Sequence, residues 1–175
     1  PSGAWPTDTY VSGQKELYYN DEPIQIMYQA AHTDGDSMVF FRKSDVLAVG
    51  DVLVNTNYPV FNPEEGGSLA GSIDALNRIL DTTVAEFRQQ GGTMVIPGHG
   101  RVYDEADVRD YRNMVSIVRD RIQDSIKKGK TLQQIQAERP TLDYDGLWGA
   151  TTGFWTTDKF IETAYRSLTA PRTGN

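Results

Sequence analysis

The chain has 175 residues, of which 38% are apolar and 23% charged, the make-up of one ordinary globular domain. Its 17 Lys and Arg stand against 24 Asp and Glu, and a net charge of −7 argues against a nucleic-acid surface, which needs a basic stripe. No apolar run approaches the roughly 18 residues of a membrane span, and the absence of cysteine excludes disulfides and thiolate ligands while leaving the compartment open.

Residues 1–15, rich in Pro, Gly, Ser and Thr, read as an irregular arm, and residues 16–170 as one folded unit. Strand-like runs at 16–19 and 24–28 are split by Asn20-Asp21-Glu22-Pro23, the signature of a hairpin. Two further runs follow, Ser37-Met38-Val39-Phe40-Phe41 and residues 46–49, separated by Arg42-Lys43-Ser44. All four are short, β-branched or aromatic, and closely spaced, which favours antiparallel pairing. The fourth is expected to end at Gly50-Asp51, and residues 52–70 to form a long connection.

Ile73, Leu76, Ile79, Leu80, Val84 and Phe87 recur at helical spacing and predict a helix from about 71 to 88, closed by Gly91-Gly92. A strand at 93–96 follows. The next helix runs from about 105 to 128, with Asp104 as N-cap and an apolar stripe of Val108, Tyr111, Met114, Val118, Ile122 and Ile126. Thr131 and Gln134 form a capping-box pattern for a short helix that stops at Pro140. A loop over 141–156 carries Tyr144, Trp148, Phe154 and Trp155. A last helix from near Thr157 buries Phe160, Ile161, Ala164 and Leu168.

The chain's two histidines both fall where a strand pattern stops. His32 sits in Ala31-His32-Thr33-Asp34-Gly35-Asp36, and His99 in Pro97-Gly98-His99-Gly100. Asp51 lies between them at what reads as a third strand end. Neutral imidazole and carboxylate are the ligands a borderline-soft divalent ion takes, and chemistry in layered α/β architectures gathers at strand ends. A lone histidine is more often an ordinary surface or core residue. The shared context, a strand end flanked by glycine, lifts this pair above that reading.

Taken together, Ala31-His32-Thr33-Asp34-Gly35-Asp36, Val49-Gly50-Asp51 and Ile96-Pro97-Gly98-His99-Gly100 resemble the metallo-β-lactamase-fold hydrolase superfamily. The intervals, nineteen residues from His32 to Asp51 and forty-eight on to His99, fit its order, and the resemblance covers roughly residues 16–125. It is closer to the glyoxalase-II-like general hydrolases than to the lactamases with a cysteine at the Asp51 position. The fold implied is an α/β sandwich of αββα type with outer helices. By motif, His32 matches a ligand of a first metal, Asp51 a carboxylate bridging two metals, and His99 a ligand of a second. Zinc is the metal implied, one or two ions in a complete protein. The chemistry implied is attack of a metal-held hydroxide on an ester, thioester, lactone or amide-type bond of a small-molecule substrate.

The family's first motif, His-x-His-x-Asp-His, is missing from the chain. Residues 16–170 therefore resemble the carboxyl-terminal half of such a domain. Zinc binding by this chain alone is expected to be weak or absent, the chain alone inactive, and its partner either the amino-terminal half or a second copy. The alternative is a catalytically inactive half-domain acting as a structural or oligomerisation module. No catalytic side chain beyond the ligands is assigned.

Asp34 and Asp36 either orient the His32 imidazole, or touch a metal, or simply build a polar turn. Tyr58, in the loop after Asp51, either lines the substrate mouth or packs against Pro59. The aromatic cluster of 144–155 either rims a site or, the favoured reading, plugs the gap between the last helices and the body. Asp143-Tyr144-Asp145-Gly146 lacks the remaining ligands of a calcium loop. Gly66-Gly67-Ser68 lacks the lysine of a phosphate loop. No Gly-x-Ser-x-Gly supports serine hydrolysis.

Overall fold

The computed structural model describes residues 2–84 and 92–170. Five strands form one sheet in the order β1-β2-β3-β4-β5: β1 (Gln14–Tyr19), β2 (Glu22–Tyr28), β3 (Ser37–Phe41), β4 (Val46–Val54) and β5 (Met94–His99). The first four pair antiparallel, as their spacing predicts, with tight turns joining β1 to β2 and β3 to β4 and the loop of residues 29–36 joining β2 to β3. The β1–β2 turn holds Asn20 and Asp21 at φ 51° and 60°, the left-handed pair that matches strand twist in a two-residue hairpin. β4 and β5 run parallel, and between them the chain passes through helix α1 (Leu69–Thr82).

Two expectations are corrected here. β4 does not stop at Asp51; it continues to Val54, so the connection begins later and Asp51 lies inside a strand. The cause is an irregularity rather than a turn: Gly50 sits at φ 55°, and three β4 residues stand opposite one β5 residue between the pairs Gly50↔Pro97 and Val54↔His99. Such a bulge re-aims side chains without ending the strand. The predicted helix over 71–88 begins earlier, because Ser68 accepts the Gly71 amide as N-cap, and ends at Thr82. Val84 lies beyond it, and Phe87 lies outside the described residues.

The remaining helices are α2 (Glu105–Lys127), α3 (Leu132–Glu138), α4 (Asp145–Trp148) and α5 (Thr157–Thr169). The caps read from Asp104 and from Thr131 with Gln134 are formed. α1 packs on β4 and α2, and α5 packs on α2 and α3. One face of the sheet contributes Met27, Met38, Leu47, Val49 and Val95 to a core shared with Ile73, Leu76 and Ile79 of α1 and Val108, Tyr111, Met114 and Val118 of α2. The opposite face is also apolar. Cross-strand register lines up Leu17, Ile24, Phe41, Val46 and Met94 in one row and Ile26, Val39, Ala48 and Ile96 in the next. None of these is fully buried, and Leu17, Met94 and Ile96 are exposed by 43%, 49% and 42%. None of the described helices is long and apolar enough to cross a membrane.

The start of α2 makes an acid-sensitive joint. Asp107 accepts both Arg101 guanidinium nitrogens at 2.7 and 2.5 Å and takes the backbone N–H of Asp104, whose own side chain caps the Asp107 amide. The Arg101 hydrogen bonds, ahead of the backbone contact, hold the Asp107 carboxyl below its ordinary value of 3.8. A depressed folded-state pKa gives stability present above the unfolded pKa and lost as pH falls through the folded one. Asp107→Asn is therefore expected to destabilise the protein at neutral pH. The deficit should shrink once pH drops below about 4, as read by urea unfolding across pH 2.5–7. An equal deficit at every pH would refute the assignment.

Candidate metal centre

His32 lies in the loop between β2 and β3, fixed from two sides. The Asp36 carboxylate accepts the backbone N–H of His32 at 2.6 Å and of Thr33 at 2.9 Å, and the Thr33 hydroxyl at 2.9 Å. The His32 carbonyl accepts the Asn62 amide at 2.8 Å. Its Nδ1 lies 2.8 Å from the Val60 carbonyl oxygen. A carbonyl can only accept, so Nδ1 carries the proton, and in the neutral ring the lone pair is at Nε2. A backbone acceptor on the far ring nitrogen is the usual device for orienting a metal-binding imidazole.

His99 ends β5, and its Nε2 is 3.7 Å from Asp51 Oδ1. The bulge in β4 brings the Asp51 carboxylate against Gly98, where a Cβ would stand 2.0 Å from Asp51 Oδ1 and 2.8 Å from the Asp51 amide nitrogen. Only a residue without a side chain lets the two strands approach this way. Asn55, 8% exposed, secures the other side: its amide N–H donates to the His99 carbonyl at 3.2 Å and its side-chain nitrogen to the Arg101 carbonyl at 2.7 Å. Tyr111 of α2 donates to the carbonyls of Val54 and Asn57, tying the loop below the cleft to the helix layer.

His32, Asp51 and His99 line one cleft of about 680 Å³, whose walls also include Val54, Val60 and Trp155. Ligands of a tetrahedral ion at bond lengths near 2.0 Å stand roughly 3.3 Å apart, so the 3.7 Å pair of Asp51 and His99 is spaced closely enough to share one ion. His32 faces the cleft from another element. Among the described residues no group of three or more His, Cys, Asp or Glu side chains is arranged to hold a metal ion. The donors fit a zinc-type ion in kind, and of the three it is Asp51 and His99 that stand within ligand spacing of each other.

The other candidates divide. Asp36 holds the His32 backbone rather than the imidazole. Asp34 is exposed, and its amide donates to the Glu65 carbonyl. Tyr58 does not line the cleft. It is 1% exposed, stacked on Phe160 at 4.8 Å, with its hydroxyl on Asp145 and the Thr141 carbonyl. Burial, reinforced by Asp145, pushes its phenol far above the ordinary range and keeps it neutral. The connection after β4 does border the site, through Thr56, Asn57 and Val60. Sequence patterns could not single out Asn55 or Val60, which act through tertiary hydrogen bonds. Gly98 was visible as a flanking glycine, but not as the point of contact with Asp51.

Among solved structures, the chain is similar to the stereoselective inverting sec-alkylsulfatase Pisa1 from Pseudomonas sp., with a TM-score of 0.58 and 16% identity over 93% of this chain and 26% of that one. A double mutant of the sec-alkylsulfatase gives a TM-score of 0.60 at 14% identity, over 94% of this chain and 26% of that one. A metallo-β-lactamase from Pontibacter korlensis gives 0.47 at 16% identity, over 63% of this chain and 49% of that one. No protein-family model matches the chain, and no curated protein matches it. Over the quarter of the sec-alkylsulfatase structures that it matches, the chain shares their metallo-β-lactamase fold, as one mostly antiparallel sheet with helices.

Proposed function

We propose that the cleft is one side of the metal centre of a metal-dependent hydrolase, with His32, Asp51 and His99 as its ligands and zinc as its metal. The observation that carries this is the convergence of three side chains, from three separate segments of the chain, on a single cleft, two of them 3.7 Å apart. A zinc ion bound there supplies Lewis acidity and makes water nucleophilic near neutral pH. The chain's own contribution is placement. Val60 and Asp36 fix the His32 ring and backbone, and Gly98 and Asn55 fix Asp51 against His99. Asp51, as the anionic donor, would offset the charge of a cation bound in the cleft.

Two properties support an incomplete centre. The chain contains no third histidine, and among the described residues one sheet face leaves Leu17, Met94 and Ile96 exposed. Both are met by one partner, an amino-terminal half of the same fold that brings further ligands and a second sheet. The substrate is a small molecule with a hydrolysable ester, thioester, lactone or amide-type bond.

Zinc titration followed by NMR of the two imidazoles tests the ligand assignment. Both His32 and His99 should respond, the His99 response weakened roughly tenfold or more by Asp51→Asn and removed by His99→Ala. His32→Ala should leave the His99 response in place. A His99 response to millimolar zinc that Asp51→Asn leaves unchanged would overturn the ligand assignment in favour of a structural or oligomerisation module.

A further inference from the structure

The structure splits the aromatic cluster of 144–155. Tyr144 and Trp148 pack inward, Trp148 edge-on to Tyr111 at 5.7 Å, and plug the gap beneath the last helices. Phe154 does the opposite. It is 88% exposed, tilted 30° against Trp155 at 6.2 Å, and Trp155 in turn stands edge-on to the buried Phe61 at 6.2 Å. The three rings form a ledge running from the core into solvent. Its turn is pinned at the base, where the Thr157 amide donates to the Ala150 carbonyl at 2.8 Å and the Ala150 amide to the Thr157 hydroxyl at 3.1 Å.

This ledge divides two clefts. One is the candidate metal cleft, and the other, of about 380 Å³, lies on its far side; both are lined by His32, Val60, Phe154 and Trp155. The far cleft contains Lys159 and Arg166, but each faces Glu162 of the same helix, at 3.7 and 2.6 Å, and Glu64 and Glu65 line the opposite side. Its cations are compensated, so nothing there favours an anionic tail over an uncharged one.

We propose that the Phe61–Trp155–Phe154 ledge is a substrate subsite that takes a neutral apolar group, alkyl or aryl, carried next to the bond presented to His32, Asp51 and His99. The assignment rests on the proposed hydrolase reading for its orientation and deepens it by naming the substrate class. A largely exposed phenylalanine held on a pinned turn gains contact area when such a group lies across it.

The test uses N-alkyl acetamides of two to ten carbons, titrated without metal and followed by the indole N–H resonance of Trp155, whose Nε1 is enclosed without a hydrogen-bond partner in the described residues. The indole should shift, and affinity should rise about twofold per methylene, corresponding to partial burial of each group. Phe154→Ala, a change at an exposed position, should flatten that dependence. Ile96→Gln on the bare sheet face should leave it intact. A dependence retained in Phe154→Ala, one lost in Ile96→Gln, or an unmoved Trp155 indole would each overturn the subsite. Because these probes need no metal, a failed zinc titration and a failed chain-length series are separate results.

Discussion

Gly98→Ala is expected to lower stability by about 2–3 kcal/mol and to uncouple Asp51 from His99. The new Cβ would stand 2.0 Å from Asp51 Oδ1, 2.8 Å from the Asp51 amide nitrogen and 2.8 Å from the Gly50 carbonyl carbon. The first of these atoms can swing away, because the Asp51 side chain is 42% exposed. The other two are backbone of β4, which pairs with Pro97 of β5 at Gly50 and cannot give there without loosening the β4–β5 bulge. Two readouts follow. Urea unfolding should show the loss, and the zinc response of His99 should weaken as Asp51 turns out. Asp51→Ala placed in the Gly98→Ala background should restore part of the stability, since it removes the closest contact but not the backbone ones. A Gly98→Ala protein within about 0.5 kcal/mol of the parent, with an unchanged zinc response, would show that the strands approach each other differently.

Tyr58 supplies the second large effect, on stability alone. Its ring lies parallel to Phe160 at an interplanar angle of 9°, and its hydroxyl, 83 and 87 residues away in sequence from its partners, joins the loop after β4 to Thr141 and Asp145. Tyr58→Ala should cost about 3–5 kcal/mol, the usual range for emptying a buried aromatic site. Tyr58→Phe keeps the ring and should cost about 1–2 kcal/mol, the loss of a buried hydrogen bond. Asp145 keeps Arg139 at 3.2 Å as a second partner, which limits that loss. In Tyr58→Phe the zinc response and the chain-length dependence should both stay as in the parent. A change in either, without a change in stability, would return Tyr58 to the site.

Much of the scaffold was legible because local rules and tertiary packing agree. The hairpin at Asn20-Asp21 and the caps at Asp104 and Thr131 are decided within a few residues, so pattern and structure coincide. The end of β4 was misread for the converse reason. Gly50-Asp51 has the local chemistry of a turn, yet pairing with β5, more than forty residues later, carries the strand through it as a bulge. Local pattern leaves Tyr58 between site and packing for the same kind of reason, since its partners Thr141 and Asp145 lie more than eighty residues away. The aromatic cluster could not be divided from composition, because the half-burial of Trp148 and the exposure of Phe154 depend on tertiary packing.

The sequence by itself determined the donor types, their order, the helix and strand periods, and the shortage of histidine, all properties of single residues or short windows. The tertiary structure alone decided that Asp51 meets His99 across a bulge and that the Val60 carbonyl takes the Nδ1 side of His32. Each of these is a contact between segments whose separation along the chain is spanned only when the sheet closes. The free energy that fixes them belongs to the packed whole, and no local window carries it.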